Sequence, residues 1–283
     1  MRKSLCIKTN NETIKNYLLE NFQNLNIDNI YLSDYNFRIY NNIIIHYSGN
    51  NVRYFLEQLS EILSTSVIKF YEMKIIKNIL FSNYFYFTDI EHKKILDLCE
   101  EHLQSNSSAD NELKKDIVSL SFQDYFTDNK SVILDGFVKF RINNYLKTLD
   151  SIVDLCVNNF VIEREYSEFI DLLKVYINSK ESASNVVHLI YNNQESTLLD
   201  EFKNIIELDT IPLVNTYLSD ISFSSNDFAL NSLLTLLPKT IHIHIIDAED
   251  EFINTLKLIF GNRVFICSDC NLCKMYRLEK VQK

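Results

Sequence analysis

Three cysteines near the end of the chain, Cys267, Cys270 and Cys273, are the residues best suited to chemistry. Two residues separate each from the next. That spacing lets successive thiolates turn back toward one ion, and zinc and iron–sulfur centres both use it. A ferredoxin-type cluster asks for a fourth cysteine after three further residues, with proline following. Arg277 occupies that position, which weakens the iron–sulfur reading and leaves zinc. Zinc then needs a fourth donor from elsewhere. His242 and His244 stand two apart in the apolar run TIHIHII, so on a strand they project from one face. The expectation is one Zn²⁺ on Cys267, Cys270, Cys273 and His244, with His242 as the alternative fourth ligand. Three thiolates and one imidazole form a closed tetrahedral set, which is structural and not catalytic.

Other reactive side chains suit structural work better. Asp154, Glu163, Glu165 and Glu168 could in principle supply paired carboxylates. Glu163 and Glu165 fall on different helix faces with Arg164 between them, so a solvated helix surface is expected. Arg141 follows a phenylalanine-rich run and reads as an ion-pairing arginine. His188 lies inside VVHLIY and reads as a satisfied sheet residue. No Ser/His/Asp or Cys/His arrangement assembles from spacing.

The elements that must carry the cysteines and histidines are legible. VVHLIY and STLLDE flank Asn192-Asn193-Gln194-Glu195, the pattern of a hairpin. Ser224 or Ser225 can cap a helix that ends before Pro238. Then come the strand TIHIHII, the helix EDEFINTLKLIF closed by Gly261, and the strand RVFIC. A strand–helix–strand unit this short predicts parallel neighbours with a right-handed crossover. His244 would then sit beside Cys267 at one sheet edge, with the next two cysteines folding back over it.

The remaining chain completes an α+β fold. Residues 4–8 read as a strand and Asn10 or Asn11 as a helix cap before Ile14, Leu18, Leu19 and Phe22. IYLS, FRIY and IIIHY read as three strands, the last two joined by a turn at Asn41-Asn42. Helical spacing over 51–71 closes a small antiparallel or mixed sheet with helices. The pattern stays helical to 104, SNSSADN (105–111) reads as a loop, and 112–180 reads as almost wholly helical. The expected layout is an N-terminal α/β domain over 1–104, a central helical region over 112–180, and a C-terminal α/β domain over 184–283. In the central region Phe137, Phe140, Tyr145, Leu149, Phe160, Tyr166 and Phe169 are expected to be buried.

Composition excludes several function classes. The chain has 283 residues, 46% of them hydrophobic, and only three glycines, Gly49, Gly136 and Gly261, lying far apart. Dinucleotide fingerprints, P-loops and the nucleophile elbow all need closely spaced glycines, so none can be built here. The net charge of −10 repels phosphate backbones and makes duplex nucleic acid an unfavourable main partner. Lys274, Arg277, Lys280 and Lys283 form a locally basic tail, read as a solvated end. No apolar run reaches the roughly 18 residues of a membrane span, and MRKSLCIKTNNE lacks the apolar core of a secretory signal. The six cysteines are therefore expected as thiols or metal ligands in the reducing cytoplasm.

A set of blocks carries a resemblance. GFVKFR (136–141), Val153-Asp154, EREYSEFIDLL (163–173), VVHLIY (186–191), LLDE (198–201) and LLTLLPKTIHIH (233–244) resemble, in the same order, the YtxC family, named as sporulation proteins of endospore-forming bacteria. The resemblance covers about half the chain. It implies a cytoplasmic role connected with spore formation and no particular reaction, so no catalytic residue is carried over. The expected function is a non-enzymatic interaction or regulatory protein acting on a protein partner. The alternative is a zinc-binding protein, an enzyme among the options, using the C-terminal cysteines.

Overall fold

The computed structural model describes residues 3–105, 107–206 and 224–281. The fold is α+β and divides into two compact units, Met1–Ile162 and Glu163–Lys283.

In the first unit, β1 (Lys3–Thr9) leads into α1 (Glu12–Gln23), β2 (Ile30–Phe37), β3 (Tyr40–Tyr47) and the long α2 (Val52–Asn83). Asn11 caps α1 by accepting from the N–H groups of Thr13 and Ile14. The stripe Ile14, Leu18 and Phe22 is buried. Then follow α3 (Asp89–Ser105), α4 (Ser108–Asp128), β4 (Ser131–Ile133), α5 (Leu134–Phe140) and the start of α6 (Asn143–Ser179). The sheet order is β2-β3-β1-β4, with β1–β4 parallel and the other pairs antiparallel. Leu5, Ile7, Ile43, Ile45 and Val132 face the core, where α1, α2, α4 and α5 bury Phe22, Phe55, Phe122 and Phe137.

Two expectations are corrected here. IYLS and the residues after it form one strand, and the turn falls at Arg38-Ile39, where Arg38 takes φ 55°. A turn at Asn41-Asn42 would set Asn36 and Arg38 opposite Tyr47 and Ile45 on the core face. The observed register sets Ile30 and Leu32 there instead, so burial decides the register. Asn42 sits inside β3, and its side-chain amide donates to the carbonyls of Tyr35 and Tyr40. The stretch 112–180 is almost wholly helical, as expected, with α4, α5 and α6 and the three-residue β4, too short to show a period, between the first two. Of SNSSADN, Ser105 ends α3, Ser107 caps α4 and Asn106 lies outside the described residues.

In the second unit, β5 (Val186–Asn192), β6 (Glu195–Leu199), α7 (Ser225–Leu236), β7 (Thr240–Ile245), α8 (Glu251–Phe260), β8 (Val264–Cys267) and α9 (Asn271–Val281) follow the end of α6. The sheet order is β6-β5-β7-β8: an antiparallel β5–β6 hairpin extended by parallel β7 and β8. Asn193 and Gln194 both have positive φ, the twist a two-residue hairpin needs. One sheet face buries Val187, Leu189, Ile241, Ile243 and Ile245 against α6, α7 and α8.

The expected burial of seven residues holds for Phe137, Tyr145, Leu149 and Phe160. Phe140, Tyr166 and Phe169 are exposed, at 64%, 44% and 54% of their surface. Phe140 ends the short α5; on α6, Phe169 lies outside the stripe of Ile170 and Ile177, and Tyr166, one turn before Ile170 on the same side, reaches the Thr255 hydroxyl of α8 at the margin of the core.

Candidate metal centre

The second face of the β6-β5-β7-β8 sheet carries the candidate site. Alternation along β7 sends Ile241, Ile243 and Ile245 into the core and His242 and His244 to the opposite face. Asp250 caps α8 through the N–H groups of Phe252 and Ile253, and Gly261 ends it at φ 52°, the left-handed region that favours glycine. These two stops fix the crossover length, and β8 returns parallel to β7 with Cys267 directly beside His244. The chain then turns. Arg277 donates to the carbonyl of Ser268, holding the turn over the sheet edge, and Cys273 lies in the first turn of α9.

The four donor atoms converge. His244 Nδ1 lies 3.3 Å from Cys270 Sγ and 3.5 Å from Cys273 Sγ. Cys273 Sγ is 3.6 Å from Cys270 Sγ and 4.0 Å from Cys267 Sγ. All four atoms lie within 4.8 Å of one another. A tetrahedral zinc with Zn–S of about 2.3 Å and Zn–N of about 2.0 Å sets ligand–ligand separations of about 3.5–3.8 Å. The measured edges bracket that range. His244 and Cys273 are buried, while Cys267 and Cys270 are half-buried. Ile190, Leu199, Ile246 and Leu272 surround Cys273 in a small apolar cluster.

The electrostatics suit a ligand set. Burial, with His188, His242 and Lys203 nearby, lowers His244 to about 4, so its imidazole is neutral at neutral pH and has a lone pair to offer. Burial raises the Cys273 thiol to about 11. Burial also opposes ionisation of Cys270. Hydrogen bonds from Cys273, Cys267 and Leu272 outweigh it and bring that thiol below its ordinary value. A bound dication would draw the protons off all three thiols.

His188 enters the site, a role the sequence reading missed. It pairs with His242 in the β5–β7 register, and its Nδ1 lies 3.0 Å from His244 Nε2. With His244 Nδ1 turned to the thiols, the remaining proton belongs on Nε2, which then donates to His188 Nδ1. Burial, with His242 and Lys203, lowers His188 and favours this neutral acceptor. Such outer partners fix the tautomer and ring orientation of a ligating histidine. The signal was present: VVHLIY and TIHIHII both carry histidine at the third position, and in-register parallel pairing aligns them. His242 stays outside the four-atom group, stacked on the ring of His188 and tilted against that of Phe265.

The other sequence candidates are dispersed. Asp154 accepts from the Tyr84 hydroxyl at 2.6 Å, and Glu168 pairs with Arg164 on an exposed helix face. Arg141 is exposed, with its guanidinium 5.8 Å from the Tyr125 ring. Of the basic tail, Lys283 and the Lys280 side chain lie outside the described residues.

The model of the YtxC-like family matches residues 57–265, well over half of the chain. The chain belongs to the YtxC-like family. A family relative, the uncharacterized protein YtxC of Bacillus subtilis (strain 168), is 23% identical over 130 residues, 46% of each chain. The match therefore spans less than half the length of that YtxC protein. No solved structure matches the chain. The YtxC-like match includes His188 and His244 and stops before Cys267, so the thiol half of the site is read from this chain's own residues. Among the described residues, no helix is long and apolar enough to cross a membrane.

Proposed function

We propose that this protein is a cytoplasmic, sporulation-associated interaction or regulatory protein whose C-terminal unit is closed by one structural Zn²⁺ on His244, Cys267, Cys270 and Cys273. The observation that carries the metal is the convergence of one imidazole nitrogen and three sulfurs within 4.8 Å. Four protein donors fill a tetrahedral shell and leave no open position for water or substrate, which argues for a structural site and against a hydrolytic one. Zinc binding would tie the turn after β8 and the start of α9 to the end of β7. The role in sporulation rests on the resemblance to the YtxC family, and the reducing compartment it implies keeps the thiols available as ligands.

Elemental analysis of tag-free protein purified without chelator tests the metal. One equivalent of zinc is expected in the wild type and none in the triple variant Cys267→Ser, Cys270→Ser, Cys273→Ser. Zinc well below one equivalent, or zinc unchanged in the variant, would defeat the reading. Deleting the gene in its host tests the role: spore yield or resistance should fall more than vegetative growth.

A further inference from the structure

The β2-β3-β1-β4 sheet has a second face that the metal reading does not use. Leu5, Ile7, Ile43, Ile45 and Val132 point into the core, so strand alternation sends their neighbours outward. On the edge strand β2 these are Tyr31, Ser33, Tyr35 and Phe37, and the three aromatic rings are exposed at 65%, 48% and 59%. The register sets them beside His46, Ile44, Asn42 and Tyr40 of β3, and β1 adds Ser4, Cys6 and Lys8. Ser131 and Ile133 of β4 complete the face.

Among the described residues, no outward strand position of this face is Asp or Glu, in a chain whose net charge is −10, and the nearest carboxylates at the β4 edge, Asp124 and Asp128, line a neighbouring hollow with Arg141. Asp34 of β2 lies on the other side and pairs with Lys15 at 2.9 Å. The cations are on or beside the open face. Lys8, half-buried, stands at the end of β1 beside Ile133. Arg38 at the hairpin tip lies 5.4 Å from the Phe37 ring. At the β4 edge, Lys8 and Arg141 line a hollow of about 470 Å³ together with Tyr125, Ser131, Ile133 and Phe140. Exposed rings at alternate strand positions suit flat aromatic ligands, and bases are the flat ligands that come in series on an anionic chain. Stacking on a sheet with cations at its margin is the way single strands are held without groove readout. The Ser33 hydroxyl, between Tyr31 and Tyr35, offers a donor and an acceptor to a ribose 2′-OH, which favours RNA over DNA.

We propose that the open face of the β2-β3-β1-β4 sheet binds single-stranded RNA, with Tyr31, Tyr35 and Phe37 stacking bases and Lys8, Arg38 and Arg141 meeting phosphates. This is compatible with the unfavourable reading of duplex nucleic acid, because a duplex presents its phosphates and hides its base faces. The proposal is independent of the metal centre.

Fluorescence anisotropy of the full chain with a labelled, unstructured oligouridylate tests it. Tyr35→Ala and Phe37→Ala should each weaken binding about tenfold, and Tyr35→Phe should leave it unchanged, because stacking needs the ring and not the hydroxyl. Lys8→Gln should weaken binding and lower the slope of log affinity against log salt by about 0.7. These side chains are at the surface, so the thermal midpoint of each variant should match the wild type. Absence of binding at low salt overturns the proposal, as does binding that these variants leave intact. A labelled single-stranded DNA oligothymidylate bound as tightly as the oligouridylate overturns the assignment to RNA. A dimer of this chain that Tyr35→Ala dissolves overturns it in favour of a second copy on the same face.

Discussion

The β2-β3-β1-β4 sheet buries one face under α1 and α2, in a core that runs on through Phe55, Leu63, Phe122, Phe137 and Tyr145, and among the described residues of the first unit its other face is open. The β6-β5-β7-β8 sheet also buries one face, under α6, α7 and α8, but it covers part of the other with α9. What holds α9 there is small: Ile190, Leu199, Ile246, Leu272 and Cys273. Apolar burial contributes roughly 25 cal/mol per Å², and so few side chains give little surplus over the cost of ordering an eleven-residue helix. The thiols and His244 lie at this thin contact. A sheet face closed by a large core needs no staple, whereas a face closed by one short polar helix does.

Zinc removal is the strongest test of that difference. Structural zinc contributes about 10–16 kcal/mol of binding free energy in small finger peptides, and part of that would serve here to dock α9. Chelation, or Cys273→Ser, should abolish hydrogen-exchange protection in α9 and lower the unfolding midpoint of the second unit by an amount equivalent to several kcal/mol. Amides of β1 and β3 should keep their protection. If α9 stays protected without metal, the apolar cluster suffices and the contrast between the sheets fails.

The converse perturbation belongs in the first unit. Phe137 is buried and stacks on Phe122 with ring centroids 3.9 Å apart. Phe137→Ala should cost about 3–5 kcal/mol, read by denaturant unfolding, with zinc content unchanged. Loss of zinc in this variant would mean that the metal centre depends on the first unit's core.

A smaller effect separates a positioning role for His188 from simple packing. His188→Leu keeps the apolar bulk and removes the acceptor for His244 Nε2–H. Zinc affinity, measured by competition with a chromophoric chelator, should fall about 10–100-fold, with the zinc-free protein equally stable. His188→Gln, whose carbonyl oxygen can accept, should recover part of the loss. Equal affinities in all three proteins would return His188 to a plain sheet residue.

Much of the second unit was legible because its signals are local. Asp250 and Gly261 bound α8, the loops are short, and one crossover helix between two apolar runs dictates parallel strands, which puts Cys267 beside His244. Less of the first unit was legible because its decisive contacts are distant in sequence. β4 is recruited by β1 from more than a hundred residues away through three residues. The Arg38 turn is chosen by what Ile30 and Leu32 bury and not by the Asn41-Asn42 pair. His188 needed the β5–β7 register, which no spacing within either strand supplies.

The smallest expected effect concerns α6, where helical periodicity misled. Val153, Cys156, Val157 and Phe160 mark a buried stripe in the first unit, and Ile170 and Ile177 mark one in the second. Tyr166 and Phe169 also recur at helical spacing, yet both are exposed: Tyr166 stands one turn before Ile170 at the margin of the covered stripe, and Phe169 lies on the outer side, because a helix with apolar residues around its circumference presents more than one stripe and periodicity alone does not say which is covered. Tyr166 donates to or accepts from the Thr255 hydroxyl at 2.9 Å, an exposed contact of small worth, and Phe169 is more than half exposed. Phe169→Ala should therefore change stability by no more than about 0.5 kcal/mol, and Phe140→Ala likewise, against the several kcal/mol of Phe137→Ala. Ile170→Ala, one residue along the same helix and buried, should cost about 2–5 kcal/mol. The pair Phe169→Ala and Ile170→Ala, measured by denaturant unfolding, compares the two sides of one helix at adjacent positions. A large loss from Phe169→Ala would mean that this side of α6 is covered in solution, and the outer stripe would then belong to an interface.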